Sequence, residues 1–272
     1  AANLVRQGLR YRAGTVRPIV RTAIAAQGAG VTVVADLERA VAGAAIVFTC
    51  VGNGQDVAAV LQSALPAIAP GIPVVDCSTI GPAAAQHLAT FLAAAGRGFV
   101  DAPMSGGDVG ARNGTLTFMV GGAPEAIAIA RPYLLAMGQA VHVCGPVGAG
   151  QAVKLCNQVL AALNTLAVAE ALVLAEALHL DAQQVVTVCS GGAAGSWSLQ
   201  NLGPRMACGD FAPGFSVDNL VKDLGLVQAA AAGLALPGLD LVAHAYAQLQ
   251  ALGKGDLGTQ AVWQLVGQTE TP

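Results

Sequence analysis

Apolar and polar positions alternate in two distinct rhythms along this chain. Through the first half, short β-branched runs are separated by alanine-rich stretches. Residues 31–34 predict a strand, 37–42 a helix, 46–51 a strand, a helix follows through Leu61, and 74–77 predict another strand. The rhythm continues with a helix over 82–95, a strand over 99–101, a hairpin over 115–120, a helix ending at Met137 and a strand over 141–144. Strand–helix–strand alternation predicts a mostly parallel sheet covered by helices. The opening residues, Ala1 to Gly8, look like the interior of a helix.

After Gly150 the period changes. Leu155, Val159, Leu163, Leu166 and Leu174 recur at helical spacing, and no further strand-like run of any length follows. The Gly/Pro cluster at 145–150 predicts the joint, which gives two domains: residues 1–147, a Rossmann-like α/β domain, and residues 148–272, an all-α domain. Further helix breaks are expected at 191–195 and at Gly203-Pro204.

Composition narrows the function classes. Only 11% of the 272 residues are charged and 54% are apolar, so surfaces should cover one another, which favours a homo-oligomer, a dimer or tetramer. A net charge of -3 supplies no electrostatic footprint for nucleic acid or anionic lipid, and leaves small-molecule chemistry. The apolar stretch 159–178 has bilayer length, but Asn164, Glu170 and Glu176 interrupt it, so a buried helix is expected rather than a membrane span. Six scattered cysteines lack metal spacing and predict buried free thiols in a cytoplasmic protein with no metal.

A dinucleotide-binding sheet should open with a strand and then Gly-x-Gly-x-x-Gly, where main-chain N–H groups meet a pyrophosphate. That motif is absent. Gly28-Ala29-Gly30 precedes a strand instead of following one and reads as a turn; residues 145–150 lie between a strand and a helix but start no further βαβ unit.

Three segments carry candidate chemistry. After the strand ending at Asp101, the chain turns through Pro103 into Ser105-Gly106-Gly107, where a hydroxyl and unobstructed N–H groups can converge on a carboxylate; a structural turn has the same local composition. Lys154 lies one turn into a helix among Val153, Leu155 and Cys156, either extending its amine to solvent or serving as a general acid or base. Asn157 and Gln158 follow and offer amides to a polar ligand. Phe215 and the Lys222-Asp223 pair begin an otherwise apolar helix, where a surface ion pair is the plain reading.

Taken together, these segments resemble the β-hydroxyacid dehydrogenase family, which includes 3-hydroxyisobutyrate dehydrogenase and tartronate semialdehyde reductase. The resemblance spans nearly the whole chain and rests on four motifs in order: Asp76-Cys77-Ser78-Thr79-Ile80-Gly81-Pro82, Asp101-Ala102-Pro103-Met104-Ser105-Gly106-Gly107, Gly148-Ala149-Gly150 through Lys154 to Asn157, and Lys222-Asp223-Leu224. It implies a nicotinamide-dependent oxidoreductase acting on a short 3-hydroxy acid or its semialdehyde, with NAD or NADP as cofactor. Ser105, Gly106 and Gly107 would then hold the substrate carboxylate, with Lys154 exchanging the proton of the reacting oxygen. Val51, Gly52, Thr79 and Lys222 would line the cofactor, while Asn157, Gln158, Phe215 and Asp223 would contact substrate.

Several positions depart from the family. Gln158 replaces a second asparagine, and Val51-Gly52 stands for a Leu-Pro pair. Thr15-Val16, with Arg17 beside it, takes the place of an Asn-Arg that reads a 2′-phosphate, which leaves NAD against NADP open. The missing first strand and glycine loop are expected to reflect a fragment or a misassigned start. The competing reading is a cofactor-deficient or non-catalytic oligomerisation module. An imine reductase is disfavoured by Lys154, and a phosphosugar substrate by the lack of a basic C-terminal extension.

Overall fold

The computed structural model describes residues 2–6, 11–14 and 31–267. Thr15, Val16 and Arg17 and the Gly28–Gly30 turn lie outside the described residues. The chain divides into two compact units, Ala1–Lys154 and Leu155–Pro272, with the division inside the long helix Ala149–Ala177.

Among the described residues, the first unit holds two sheets. Strands β1 (Tyr11–Gly14) and β2 (Val31–Val34) form a parallel pair. The larger sheet contains β3 (Val47–Thr49), β4 (Val74–Asp76), β5 (Phe99–Asp101), β6 (Met104–Ser105), β7 (Leu116–Gly122) and β8 (Gly138–Gly145). β3, β4 and β5 run parallel, with Thr49, Asp76 and Asp101 aligned at their carboxyl ends. β7 then pairs antiparallel with β5 and with β6, and parallel with β8, so the sheet is mixed. The hairpin expected over 115–120 is instead one continuous strand. Its hairpin partner is Met104–Ser105, reached through the helix Gly107–Asn113, an excursion too long for local turn signals to reveal.

β4 and β5 are buried on both faces, which is why they read as unbroken apolar runs and not as alternations. One face packs Val57, Leu61, Leu88 and Leu92 from the helices Gly54–Ala64 and Pro82–Ala94. The other packs Ile127, Ala130 and Leu134 from the helix Pro124–Met137 against Val75, Val100 and Val120. The opening stretch is helical as expected, over Ala2–Arg6, and Asn3 Nδ2 donates to Ala111 O at 2.7 Å.

The second unit is helical, with Ser216 and Gly258 forming an isolated bridge. The helix Ala149–Ala177 is long and apolar enough to cross a membrane by length and composition. Its Leu155, Ala162, Leu166, Ala169 and Leu172 nevertheless belong to the unit's core with Leu220, Leu224, Val242 and Tyr246, while Asn164, Glu170 and Glu176 are exposed. Leu174, expected on the packed face, is 59% exposed. Gly203 and Pro204 open the helix Gly203–Ala207 rather than merely ending the one before. The expectation of buried thiols holds for Cys77 alone: Cys50, Cys156 and Cys208 are exposed and Cys144 and Cys189 half-buried, all as free thiols. Local apolar runs fail as a guide here because Cys50 and Cys208 lie just past the ends of Val47–Thr49 and Gly203–Ala207, while Cys156 takes an outward position on its helix.

Candidate active site

The carboxyl ends of β3, β4 and β5 bring one set of side chains together in the first unit. Asp76 is fully buried, and its Oδ1 accepts from Thr49 Oγ1 at 2.8 Å, Ser78 Oγ at 2.7 Å and Ser78 N at 3.2 Å. Its Oδ2 is buried with no hydrogen-bond partner among the described residues. Burial outweighs the three donors and pushes the Asp76 carboxyl up to about 6, with the neighbouring Asp101 charge adding to the rise. Ser78 Oγ in turn accepts from Val51 N at 2.9 Å, so Asp76 fixes the exposed segment after β3 through one hydroxyl.

Asp101, also fully buried, performs a different task. Its Oδ1 accepts from Gly148 N at 2.8 Å and its Oδ2 from Gln151 N at 2.9 Å, so the carboxylate satisfies main-chain donors at the start of the long helix. Burial raises the Asp101 carboxyl, and these N–H groups oppose that rise. Close approach demands glycine: a Cβ at Gly150 would lie 2.3 Å from Met119 O and 2.8 Å from Asp101 Oδ2, and one at Gly121 would lie 2.6 Å from Asp101 Oδ1. The Gly148-Ala149-Gly150 motif is therefore a packing requirement that places the helix bearing Lys154.

Lys154, 7% exposed, donates from Nζ to Met104 O at 2.8 Å. Met104 immediately precedes Ser105, which is half-buried, and Gly106 and Gly107 have φ of 124° and 62°, conformations that favour glycine. The structure thus brings the amine beside the segment of serine and glycines singled out from sequence.

Sequence reasoning missed Gln151. Its side chain is fully buried; Oε1 accepts from Ile80 N at 3.0 Å and Gly81 N at 3.1 Å, and Nε2 donates to Ser78 O at 2.8 Å. Half-buried Thr79 is the residue inside this clamp. The available signal was position: Gln151 lies three residues before Lys154, on the same face of an apolar helix.

In the second unit, Gln158 Nε2 donates to Asp223 Oδ2 at 2.6 Å, Gln158 Oε1 accepts from Asn157 Nδ2 at 2.9 Å, and Lys222 Nζ stands 2.9 Å from Asp223 Oδ1. Asp223 is 1% exposed, so its charge is balanced by a lysine and an amide, which goes beyond a surface ion pair. Phe215, 37% exposed, sits just before Ser216, the N-cap of the helix Val217–Ala230.

For a dinucleotide, the first unit offers an exposed edge at Cys50, Val51 and Gly52 beyond the ends of parallel strands, where open α/β sheets bind ligands. Gly52 leaves that edge unobstructed, since a Cβ there would fall 2.7 Å from Asp56 Oδ2. These residues fit the nicotinamide cofactor that the motifs imply.

Comparison with known proteins agrees. Residues 1–145 match the NAD binding domain of 6-phosphogluconate dehydrogenase, and residues 148–266 match the NAD-binding region of NADP-dependent 3-hydroxyisobutyrate dehydrogenase. The chain is 46% identical over 268 residues to an uncharacterized oxidoreductase of Synechocystis sp., covering 96% of this chain and 91% of that protein. It is 36% identical over 242 residues to the NAD-dependent L-serine dehydrogenase of Pseudomonas aeruginosa, covering 85% of this chain and 80% of that protein. A structure of Mycobacterium tuberculosis 3-hydroxyisobutyrate dehydrogenase with L-serine aligns at a TM-score of 0.86 and 36% identity, over 98% of this chain and 94% of that one. With two family models spanning both halves and relatives aligned nearly end to end, the chain belongs to the β-hydroxyacid dehydrogenase family of NAD(P)-dependent oxidoreductases.

Proposed function

We propose that this protein interconverts a short 3-hydroxy acid and its semialdehyde, with Lys154 as the general acid and base and Ser105, Gly106 and Gly107 as the seat of the substrate carboxylate. One observation supports this most: the Lys154 amine is held 2.8 Å from Met104 O, next to Ser105. When bound, a nicotinamide would supply the acceptor for the hydride that leaves the carbinol carbon. Lys154 takes the hydroxyl proton as that carbon–hydrogen bond breaks, and returns it in the reductive direction. Met104 O can accept one N–H from either the ammonium or the neutral amine, so the side chain keeps its aim through the proton transfer. Val51, Gly52 and Thr79, with Lys222, line the cofactor in this reading. Asn157, Gln158, Phe215 and Asp223 contact the acid.

L-serine and 3-hydroxyisobutyrate, each a 3-hydroxy acid named with relatives of this chain, are the acids to assay first. The protein is proposed to act as a cytoplasmic homo-oligomer. The test is cofactor-dependent turnover of either acid with NAD or NADP, compared with Lys154→Met. Turnover abolished in the variant, with enhanced fluorescence of bound reduced cofactor retained, is the expected result. Equal turnover in both proteins would remove Lys154 from the chemistry, and lack of cofactor binding by the natural chain would point to the non-catalytic alternative.

A further inference from the structure

We propose that Gln151 is a positioning residue for the reaction: its buried carboxamide locks the segment Ser78–Gly81, and Thr79 within it, to the helical turn that carries Lys154. The inference rests on the dehydrogenase reading given above, since it concerns the spacing between the cofactor-side segment and the proton-transfer group.

The geometry is unusual for a glutamine near the start of a helix. Side-chain amides in such places ordinarily point to solvent, because desolvating an amide is costly unless its polar atoms find partners. Gln151 instead has no exposed surface, and its Oε1 takes two main-chain N–H groups, from Ile80 and Gly81, while Nε2 donates to the carbonyl of Ser78. These are three contacts to a four-residue segment with Thr79 at its centre. The same residue is tied through its main chain: Gln151 N donates to Asp101 Oδ2 at 2.9 Å. One residue therefore fixes the helix to two neighbouring strand ends at once, the main chain to the end of β5 and the side chain to the loop after β4. Lys154 follows three residues later on the same face and makes its own contact to Met104 O.

A shift of the Ser78–Gly81 segment relative to this turn would misplace Thr79 against Lys154, and displacements of about 1 Å cost roughly 100-fold in rate in well-organised sites. Nothing in this arrangement requires Gln151 to touch substrate, so the effect should appear in turnover and leave the affinity for the acid nearly untouched.

The test uses Gln151→Met, which keeps the length and removes the hydrogen bonds, and Gln151→Glu, whose protonated form can still accept from Ile80 and Gly81 and donate to Ser78 O. Backbone hydrogen exchange of the Ile80 and Gly81 amides is measured in each protein, together with kcat and KM for L-serine and 3-hydroxyisobutyrate with NAD and NADP. In Gln151→Met, exchange at both amides should rise at least about tenfold, kcat should fall about 30-fold or more, and KM should stay within about threefold. Gln151→Glu should recover kcat at acidic pH and lose it as its carboxyl ionises, adding a titration absent from the natural protein. Should Gln151→Met fail to fold, the pH-dependent rescue in Gln151→Glu alone carries the comparison. Unchanged exchange would overturn the clamp. Faster exchange with unchanged kcat, or a KM that rises as much as kcat falls, would overturn the positioning role. Lys154→Met separates the two readings: turnover lost there but retained in Gln151→Met rejects this inference alone, whereas turnover retained in both rejects the dehydrogenase chemistry assigned to Lys154.

Discussion

Lys154 Nζ and Met104 O are 2.8 Å apart, a contact between a helix and the two-residue strand Met104–Ser105 that aims a nearly buried amine along the serine-glycine segment. Removing that amine should cost about 100- to 10,000-fold in kcat for a proton-transfer role. Lys154→Met is the variant to make. Steady-state turnover with binding of reduced cofactor followed in parallel measures it, and a loss below about tenfold would exclude general acid–base work by this side chain.

Ser105 supplies a different quantity. If its hydroxyl binds a carboxylate, Ser105→Ala forfeits a hydrogen bond to a charged group, about 1.5 to 3 kcal/mol, which corresponds to a rise of about tenfold or more in KM for the acid. Initial-rate kinetics with both substrates varied would check this. A KM that moves for the cofactor but not for the acid would place the carboxylate elsewhere.

The stability of the first unit should depend on Asp76. Its folded-state value of about 6 exceeds the ordinary 3.8, so between those two values the folded chain binds more protons than the unfolded chain. Stability from this group is therefore greatest at acidic pH and falls as pH rises toward 6, by about 3 kcal/mol at most. Asp76→Asn keeps an oxygen acceptor for Thr49 and Ser78 and cannot ionise. Urea unfolding at pH 4.5 and 7.5 should show the variant gaining on the natural protein at the higher pH. A difference independent of pH would refute the proposed titration.

Gly138 is expected to be intolerant of any side chain. A Cβ there would lie 2.3 Å from Leu116 O and 2.8 Å from the Phe118 ring, inside the β7–β8 pairing. Gly138→Ala must therefore shift backbone, at about 1 to 3 kcal/mol, or a drop of several degrees in Tm. Thermal unfolding within a degree of the natural protein would show that β8 can slide without cost. Gly52→Ala is the contrast, since among the described residues its Cβ would meet only the movable end of Asp56, and its stability should change little.

What was legible in the sequence follows from how local each interaction is. Val31–Val34 and Phe99–Asp101 were readable because β-branched and aromatic runs with breakers at each end specify short strands. The helical second unit was readable from the spacing of Leu155, Val159 and Leu166. Pairing that depends on distant segments was not: β7 joins Met104–Ser105 across an inserted helix, and the expected hairpin dissolved. The same reason hid Gln151, whose side-chain partners stand 70 to 73 positions away in the chain. Asp101 was read as the end of a strand, and its capping of Gly148 and Gln151 became visible only with the helix in place. Gln158 was noted as a departure from its relatives, but its engagement with Asp223 could not be inferred from spacing.

The corner formed by Asp101, Gly121 and Gly150 constrains how this chain can change. Both glycines face carboxylate oxygens of Asp101, yet trimming residue 101 would not free them, because Pro146 O stands 2.7 Å from a Cβ at Gly121 and Met119 O 2.3 Å from one at Gly150. A side chain at either glycine meets backbone there even when residue 101 is trimmed, so changing Asp101 first opens no route to exchanging the glycines. Mutational libraries aimed at altering this enzyme should hold both glycines fixed.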